Sequence, residues 1–355
     1  MRKVLFCGLK YEYGVPALGL SFEYQNFYKV LQSMEAVAVE LFAIDEVLKQ
    51  YGRDAMNEKL ISVVQETQPD LLFCFLFTDE LKKETIAYIT NKTKTKTFNW
   101  FADDHWRFPI YSKYWAPLFT AVSTTDSQAV SKYKLLGVKP IKTQWAANPF
   151  LYQPKEPLEN TGTYRVTFVG KQYGNRKKIL EWLQAQGIAA VGYGSGWSTG
   201  RVSFEEMLQI FSYSKININF TESSPMDFQA LPKLIGKLFI KKHLGKYHLD
   251  AHHIGSNIQS LFASRRKQIK GRIFEVAACG GFLLSGDADN LAEYYVPNKE
   301  IVIFKNKQDL LMKCKYFLEH EDIRLSIAAA GLKRTLQEHT YIHRFNHIFK
   351  ELELG

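Results

Sequence analysis

From Lys3 to Leu136 the chain alternates short apolar runs with segments of helical periodicity, and after a proline-rich interruption the alternation begins again. This pattern restricts the fold more than any other feature. Lys3–Phe6, Ala36–Phe42, Asp70–Phe77, Thr95–Phe101 and Phe119–Ser123 read as strands, and Phe22–Leu31, Asp54–Glu66, Asp79–Ile89 and Asp126–Leu136 as helices. Strands alternating with helices form βαβ units and a parallel sheet. The unbroken apolar run Leu71-Leu72-Phe73-Cys74-Phe75 suits a strand covered on both faces. Pro149, Pro154 and Pro157, followed by Asn160-Thr161-Gly162, mark a linker. A second series follows: strand Tyr164–Gly170, helix Asn175–Gln186, strand Ile188–Tyr193, a helix opened by the capping box Ser203-Phe204-Glu205-Glu206, and strand Lys215–Phe220. Phe282–Leu284 and Ile301–Phe304 complete the strands, and helices run to the end. The predicted class is α/β, with Rossmann-like domains at 1–150 and 151–338. Such a pair places a ligand in the cleft between them, at the carboxyl ends of strands.

A chain of 355 residues has room for two domains, and 46% hydrophobic with 23% charged residues is a soluble, globular composition. Cys7, Cys74, Cys279 and Cys314 are far apart and sit in apolar runs, which reads as buried thiols in a reducing compartment. The first apolar run is too short for a signal peptide, and none approaches a membrane span. A cytoplasmic protein is expected.

The net charge of +10 is concentrated. Lys233 to Arg272 contains ten Lys/Arg and one acid, Asp250, so that segment carries 10 − 1 = +9 and the remainder +1. Leu231, Leu234, Ile235, Leu238 and Phe239 recur at helical spacing among lysines. Leu231–Leu244 therefore reads as a basic amphipathic helix inside an insertion at about 225–265. It suits an anionic membrane surface, and equally a helix packing its apolar stripe on the second domain. His243, His248, His252 and His253 match no zinc spacing, and no metal is expected. Zinc-finger and RNP patterns are absent, so no nucleic-acid partner is expected.

Four stretches carry candidate chemistry. Ile269, Ile273, Val276 and Ala277 face a core, leaving Lys270, Arg272 and Glu275 on a short helix that Gly280-Gly281 stops. Those charges are either a structural ion pair or a ligand grip. In the turn Phe168-Val169-Gly170-Lys171-Gln172-Tyr173-Gly174-Asn175-Arg176, glycines and helix N–H groups suit a phosphate, with Arg176 forking onto it; an ordinary strand–helix turn is the alternative. Gly192-Tyr193-Gly194-Ser195-Gly196-Trp197 is either a wall against a nucleobase or a flexible loop. Asp103, Asp104 and His105, framed by Trp100, Phe101, Trp106 and Phe108, suit a general base or a cation stabiliser, unless an Asp merely caps a helix near Tyr111. Asp287-Ala288-Asp289 reads as a helix N-cap rather than a metal motif.

With these residues in place, the chain resembles the CgeB-like (spore-maturation-protein-like) glycosyltransferases. The resemblance rests on Lys270-Gly271-Arg272-Ile273-Phe274-Glu275 through Leu284, Asn99-Trp100-Phe101-Ala102-Asp103-Asp104 with Arg107-Phe108, and Trp145-Ala146-Ala147-Asn148-Pro149. It extends to Phe168-Val169-Gly170 with Tyr173–Arg176, Ser214–Phe220, and Glu338-His339 through Arg344-Phe345. No such motif falls within the basic insertion.

The resemblance implies a GT-B fold. The first domain would hold an acceptor, the second a nucleotide-diphosphate sugar, and the segment 339–355 would cross back as a helix onto the first domain. It implies sugar transfer to a glycan, lipid-linked or protein acceptor, with no metal or other cofactor. Gly170, Tyr173, Gly174, Arg176, Gly194, Trp197, Asn219, Lys270, Arg272, Glu275, Gly280 and Gly281 would form the donor side, Glu275 on the ribose. Gly8, Tyr11 and Gly14 would border the acceptor, with Asp103, Asp104 and His105 as the catalytic candidates. Glu275-Val276-Ala277-Ala278-Cys279-Gly280 is similar to the end of the Glu-x7-Glu motif of retaining members, yet Lys267 stands where the first Glu belongs. Stereochemistry stays open at this point. A GT-B nucleotide-sugar epimerase and a non-catalytic binder of anionic polymers are the rival readings.

Overall fold

The computed structural model describes residues 1–155, 164–221, 240–243, 246–249 and 253–354, with backbone alone for the two stretches between 240 and 249. The chain divides into two compact units. Met1–Gln144, Gln229–Ser264 and Tyr341–Gly355 form the first; Trp145–Phe228 and Arg265–Thr340 form the second.

The first unit is built on a six-stranded sheet of β1 (Arg2–Gly8), β2 (Val37–Ala43), β3 (Leu71–Cys74), β4 (Lys96–Trp100), β5 (Ala121–Thr124) and β6 (Pro140–Lys142), in the order β2-β1-β3-β4-β5-β6. All its pairings are parallel. Every residue of β3 and β5 is buried, as unbroken apolar strands require. Side chains alternate across the sheet. Leu5, Cys7, Leu72 and Cys74 join one core with Met56, Leu60 and Ile86. Phe6 and Phe73 point the other way, where both rings pack on Phe27. The helix Tyr341–Glu351 covers that second face through Tyr341 and Phe345, and Arg2 Nε donates to Leu354 O at 3.0 Å.

The second unit contains β7 (Val166–Val169), β8 (Ala190–Tyr193), β9 (Ile216–Asn219), β12 (Leu283–Gly286) and β13 (Val302–Phe304), ordered β13-β12-β9-β7-β8 and parallel throughout. The intervening β10 (Ile240–His243) and β11 (Lys246–Leu249) make a separate antiparallel pair. Each large sheet reverses its direction of growth between its first and third strands. Such a topological switch point opens a crevice at the carboxyl ends, here of β1 and β3 and of β7 and β9.

Three expectations change. The short edge strand β6, opening with Pro140, is absent from the sequence reading; its length and its proline mask the strand signal. Of the amphipathic helix expected at Leu231–Leu244, residues 231–239 and 244 lie outside the described residues. Residues 240–243 are strand, because pairing with Lys246–Leu249 overrides the helical period there. The basic insertion, expected within the second domain, is grouped mostly with the first unit, and its helix Ile254–Ala263 was not anticipated. All four cysteines are buried thiols, and no described helix is long and apolar enough to cross a membrane.

Candidate functional site

The turn after β7 is shaped by close backbone approach. Gly170 N–H donates to Tyr193 O at 2.8 Å, and Gly170 O accepts the Trp197 indole N–H at 2.8 Å. A Cβ on Gly194 would lie 2.6 Å from Gly170 O, and one on Gly192 would lie 2.6 Å from the Trp197 ring. Glycines at 192 and 194 therefore let the loops after β7 and β8 close on each other. Trp197 is consumed by that closure and packs edge-on against Phe168 at 5.9 Å. Tyr193 packs edge-on against Tyr164. Gly192–Trp197 is thus a tied loop.

Beside it lies a cavity of about 240 Å³ at the carboxyl ends of four strands. Tyr173, Gly174, Asn175 and Arg176 line it from the β7 turn, Phe220 and Thr221 from beyond β9, Gly286 from β12, Phe304 from the end of β13, and Lys305, Asn306 and Lys307 from beyond it. Lys267 joins them. Arg176, Lys267, Lys305 and Lys307 give the lining four cations, and no Asp or Glu is among its described residues. Two helices start at its rim, Arg176–Ala185 and Lys307–Glu319, the second capped by Asn306 Oδ1 accepting from Asp309 N–H at 3.0 Å. Helix N-termini add partial positive charge and unpaired N–H groups. The Arg176 guanidinium lies 5.1 Å over the Phe168 ring and donates to Lys171 O at 2.9 Å; burial lowers its pKa, with Tyr173 opposing. This arrangement suits a polyanion.

The Lys270 stretch forms the helix Gly271–Ala278, with Ile269, Ile273, Val276 and Ala277 buried as the periodicity requires. Arg272 Nη1 sits 3.0 Å from Glu275 Oε2, its guanidinium 4.9 Å over the Phe211 ring and Nη1 3.0 Å from Met207 Sδ. Arg272 and Glu275 are thus paired in this structure. Gly280 N–H reaches Ala277 O and Gly281 N–H reaches Val276 O, each at 3.0 Å, a Schellman stop with Gly280 at φ +72°. A Cβ on Gly281 would lie 2.3 Å from Phe211 O. Both glycines therefore have structural duties.

Of the donor-side candidates, Tyr173, Gly174 and Arg176 line the cavity, whereas Gly170, Gly194, Trp197, Asn219, Lys270, Arg272, Glu275, Gly280 and Gly281 are not among its lining. Asn219 cross-links β9 to β12 by donating to Ser285 Oγ at 2.9 Å. Neither Asp287 nor Asp289 caps the helix Leu291–Tyr294; its cap is Asn290, while Asp287 accepts from Ala288 N–H and Asp289 pairs with Arg266 at 3.7 Å. Lys305 and Lys307 escaped the sequence reading, because single lysines at a strand–helix junction carry no motif, and Lys267 entered it only as the residue standing where a Glu belongs.

In the first unit, Asp103 precedes the helix Asp104–Arg107 and is half-exposed. Its backbone carbonyl, not its side chain, caps that helix. Asp104 is fully buried and accepts from Tyr133 Oη at 2.8 Å; His105 is buried beside it in sequence. Burial pushes the Asp104 carboxyl from 3.8 up to about 6, against the Ser112, Thr124 and Tyr133 hydroxyls, with Asp126 adding to the rise. A carboxyl raised in the folded state favours folding fully below pH 3.8, and that contribution is lost as pH rises through about 6. The loss amounts to about 3 kcal/mol. Asp104→Asn keeps an acceptor for Tyr133 and removes the titration. Urea unfolding should find the variant more stable than wild type at pH 7.5, with the gap closing by pH 4. An unchanged gap across that range would contradict the buried-carboxylate account.

Gly8 ends β1 at the switch point. In the loop after it, Lys10 N–H and Tyr11 N–H each donate to the Asp45 carboxylate at 3.0 Å, and Gly14 adopts φ +73°. A Cβ on Gly8 would meet Glu23 Cγ at 3.7 Å. The sequence reading passed over Glu23, whose carboxyl is pushed up to about 7 by burial, against its own backbone hydrogen bond, with Glu12, Glu80 and Asp45 adding repulsion. The available signal was its position in the first helical segment after β1. Among the described residues no cluster of three or more His, Cys, Asp or Glu is arranged to hold a metal ion.

A family model described as glycosyl transferase-like matches residues 245–350. No curated protein matches the chain. Among solved structures, a glycosyltransferase from Rickettsia africae ESF-5 is similar at 10% identity and TM-score 0.62, covering 100% of this chain and 99% of that one. Anabaena Alr3699/HepE, solved with UDP-glucose, is similar at 12% identity and TM-score 0.60, covering 99% and 100%. A sucrose-phosphate synthase from Thermosynechococcus elongatus is similar at 8% identity and TM-score 0.55, covering 99% of each. With two parallel-sheet α/β units in hand, these likenesses establish that the chain has the GT-B fold.

Proposed function

We propose that the protein is a glycosyltransferase that moves a sugar from a nucleotide-diphosphate sugar to a glycan, lipid-linked or protein acceptor without a metal ion. The observation that carries this reading is the cavity at the carboxyl edge of the second sheet, with four cations and no acid among its described lining residues. Anabaena HepE, similar in fold, was solved with UDP and with UDP-glucose. In the proposed reaction the bond from the anomeric carbon to the diphosphate breaks. Negative charge grows on the leaving diphosphate as the sugar gains oxocarbenium character. Arg176 and Lys267, with the N–H groups opening the helices at Arg176 and Lys307, neutralise that charge.

Lys270 and Arg272 are assigned to the same end of the donor by resemblance. Glu275 would meet a ribose beside its Arg272 partner, so donor binding and that ion pair are coupled in this reading. On the acceptor side, Asp103 is the half-exposed carboxylate of the original trio, while Asp104 positions the segment through Tyr133. Glu23 is a second candidate base, since a carboxyl near 7 is matched to proton transfer at neutral pH. The CgeB-like subfamily, a cytoplasmic location and attachment of Leu231–Leu244 to an anionic membrane face belong to the same proposal.

The test is incubation with a panel of UDP-sugars and acceptor oligosaccharides in the presence of EDTA. UDP release that requires acceptor and survives EDTA is expected. Interconversion of the sugar nucleotide without acceptor, read by NMR, would favour the epimerase instead. Absence of binding to every nucleotide would leave the anionic-polymer binder.

A further inference from the structure

A second concavity, a groove of about 540 Å³, opens on the first unit. The segments that follow β3 and β4 line it, which puts it at the carboxyl edge of that sheet. Its walls are aromatic, and its polar groups are fixed. The Arg107 guanidinium lies 4.3 Å over Tyr111 and 4.5 Å over Phe77, and donates to Phe77 O. Tyr111 Oη donates to Thr78 O at 2.6 Å, and Trp115 Nε1 donates to Asp79 Oδ1 at 3.1 Å. Phe77 and Tyr114 nonetheless keep 46% and 39% of their surfaces exposed, with Arg107 over the Phe77 ring and Lys113 4.8 Å over the Tyr114 ring, so a ligand meets the part of each ring that those cations leave open.

One wall comes from the insertion. His253 lines the groove and meets Tyr114 edge-on at 6.1 Å. The helix Ile254–Ala263 follows directly, and Lys113 Nζ stands 3.4 Å from Ser256 Oγ on it. Lys83 lies 5.5 Å over Tyr114, and with Arg107 it faces a single acid in the described lining, Asp79, which already accepts from Trp115. The groove therefore offers flat apolar faces, hydrogen-bond donors and a cationic excess.

We infer that this groove binds a saccharide carrying an anionic group, and that His253 with the helix behind it is the wall that selects among such saccharides. Sugar C–H faces pack on the exposed rings, hydroxyls meet His253, and the anionic group meets Lys83 and Arg107. Rigid rings held by Arg107 and Thr78 reduce the ordering cost of binding. The groove serves as the acceptor site only if the transferase reading holds; its ligand chemistry is argued independently of that reading.

The experiment is a tryptophan-fluorescence titration of the full chain with tetragalacturonate, maltotetraose and glucose 6-phosphate, with UDP thermal shift measured in parallel. Tetragalacturonate is expected to bind at least ~10-fold tighter than maltotetraose, the margin of one charge-assisted contact. Lys83→Ala and His253→Ala should each weaken it by about as much while leaving the UDP shift intact. Glucose 6-phosphate alone binding assigns a phosphosugar rather than a uronate as the source of the charge. No binding by either anionic sugar, or equal binding by maltotetraose, overturns the inference. Unchanged affinity in both variants does so as well. A missing UDP shift with saccharide binding intact would instead count against the transferase reading.

Discussion

Phe27→Ala is expected to lower the stability of the protein by about 3–5 kcal/mol, the cost of removing a fully buried aromatic ring. Phe27 is 0% exposed, and its ring lies within 4.9–6.4 Å of Phe6, Phe22, Phe73, Phe75, Trp100, Tyr341 and Phe345. Phe6, Phe73 and Trp100 come from β1, β3 and β4, Phe75 directly follows β3, and Tyr341 and Phe345 come from the helix Tyr341–Glu351. One truncation thus loosens the attachment of the last helix to the sheet. Arg2 and Lys96 hold only the end of that segment, through Leu354 O and Leu352 O. Chemical denaturation should show the loss. Proteolysis should show cleavage near Tyr341 in the variant before the rest of the chain is cut. A loss below about 1 kcal/mol would mean that the helix is held by something other than this aromatic cluster.

Arg176→Ala should weaken UDP binding about 10- to 150-fold, which corresponds to the ~1.5–3 kcal/mol of a charge-assisted hydrogen bond. The guanidinium lines the cavity, is braced by Phe168 and Lys171, and stands where a helix begins. Arg176→Lys should recover only part of the affinity, because a point charge cannot make the forked contact. Isothermal titration at two salt concentrations measures both variants. Wild-type affinity in Arg176→Ala would remove this residue from the donor site.

Much of the architecture was legible because βαβ alternation and apolar strands are periodic signals. Leu71–Cys74 is buried as its composition demands, and Ser203 caps its helix by accepting from Glu206 N–H at 3.1 Å. β6 and Ile254–Ala263 were not legible. The first is too short to show a period, and the second opens with Gly255, Ser256 and Asn257, residues that weaken a helical signal.

The site was legible in part for a different reason. Tyr173, Gly174 and Arg176 belong to a strand–turn–helix whose geometry is local. Lys267, Lys305 and Lys307 meet them only through the order of strands in the sheet, which no local motif encodes. Arg272 and Glu275, three residues apart on one helix face, satisfy each other. Trp197 found its partner in Gly170 O, a contact made possible by glycines on a neighbouring loop. Asp104 shows the same limit from the other side: the sequence gives a carboxylate after a strand, and only packing against Tyr133 turns it inward.

The central claim is that a nucleoside diphosphate sits at the carboxyl edge of the second sheet. Hydrogen exchange of the full chain with and without UDP tests it most directly. The account predicts slowed exchange at residues 170–176, 220–221 and 304–308, together with a change in the Gly271–Ala278 helix as the Arg272–Glu275 pair is drawn into donor binding. UDP binding that leaves all of these amides unchanged, or protects only the first unit, would contradict it.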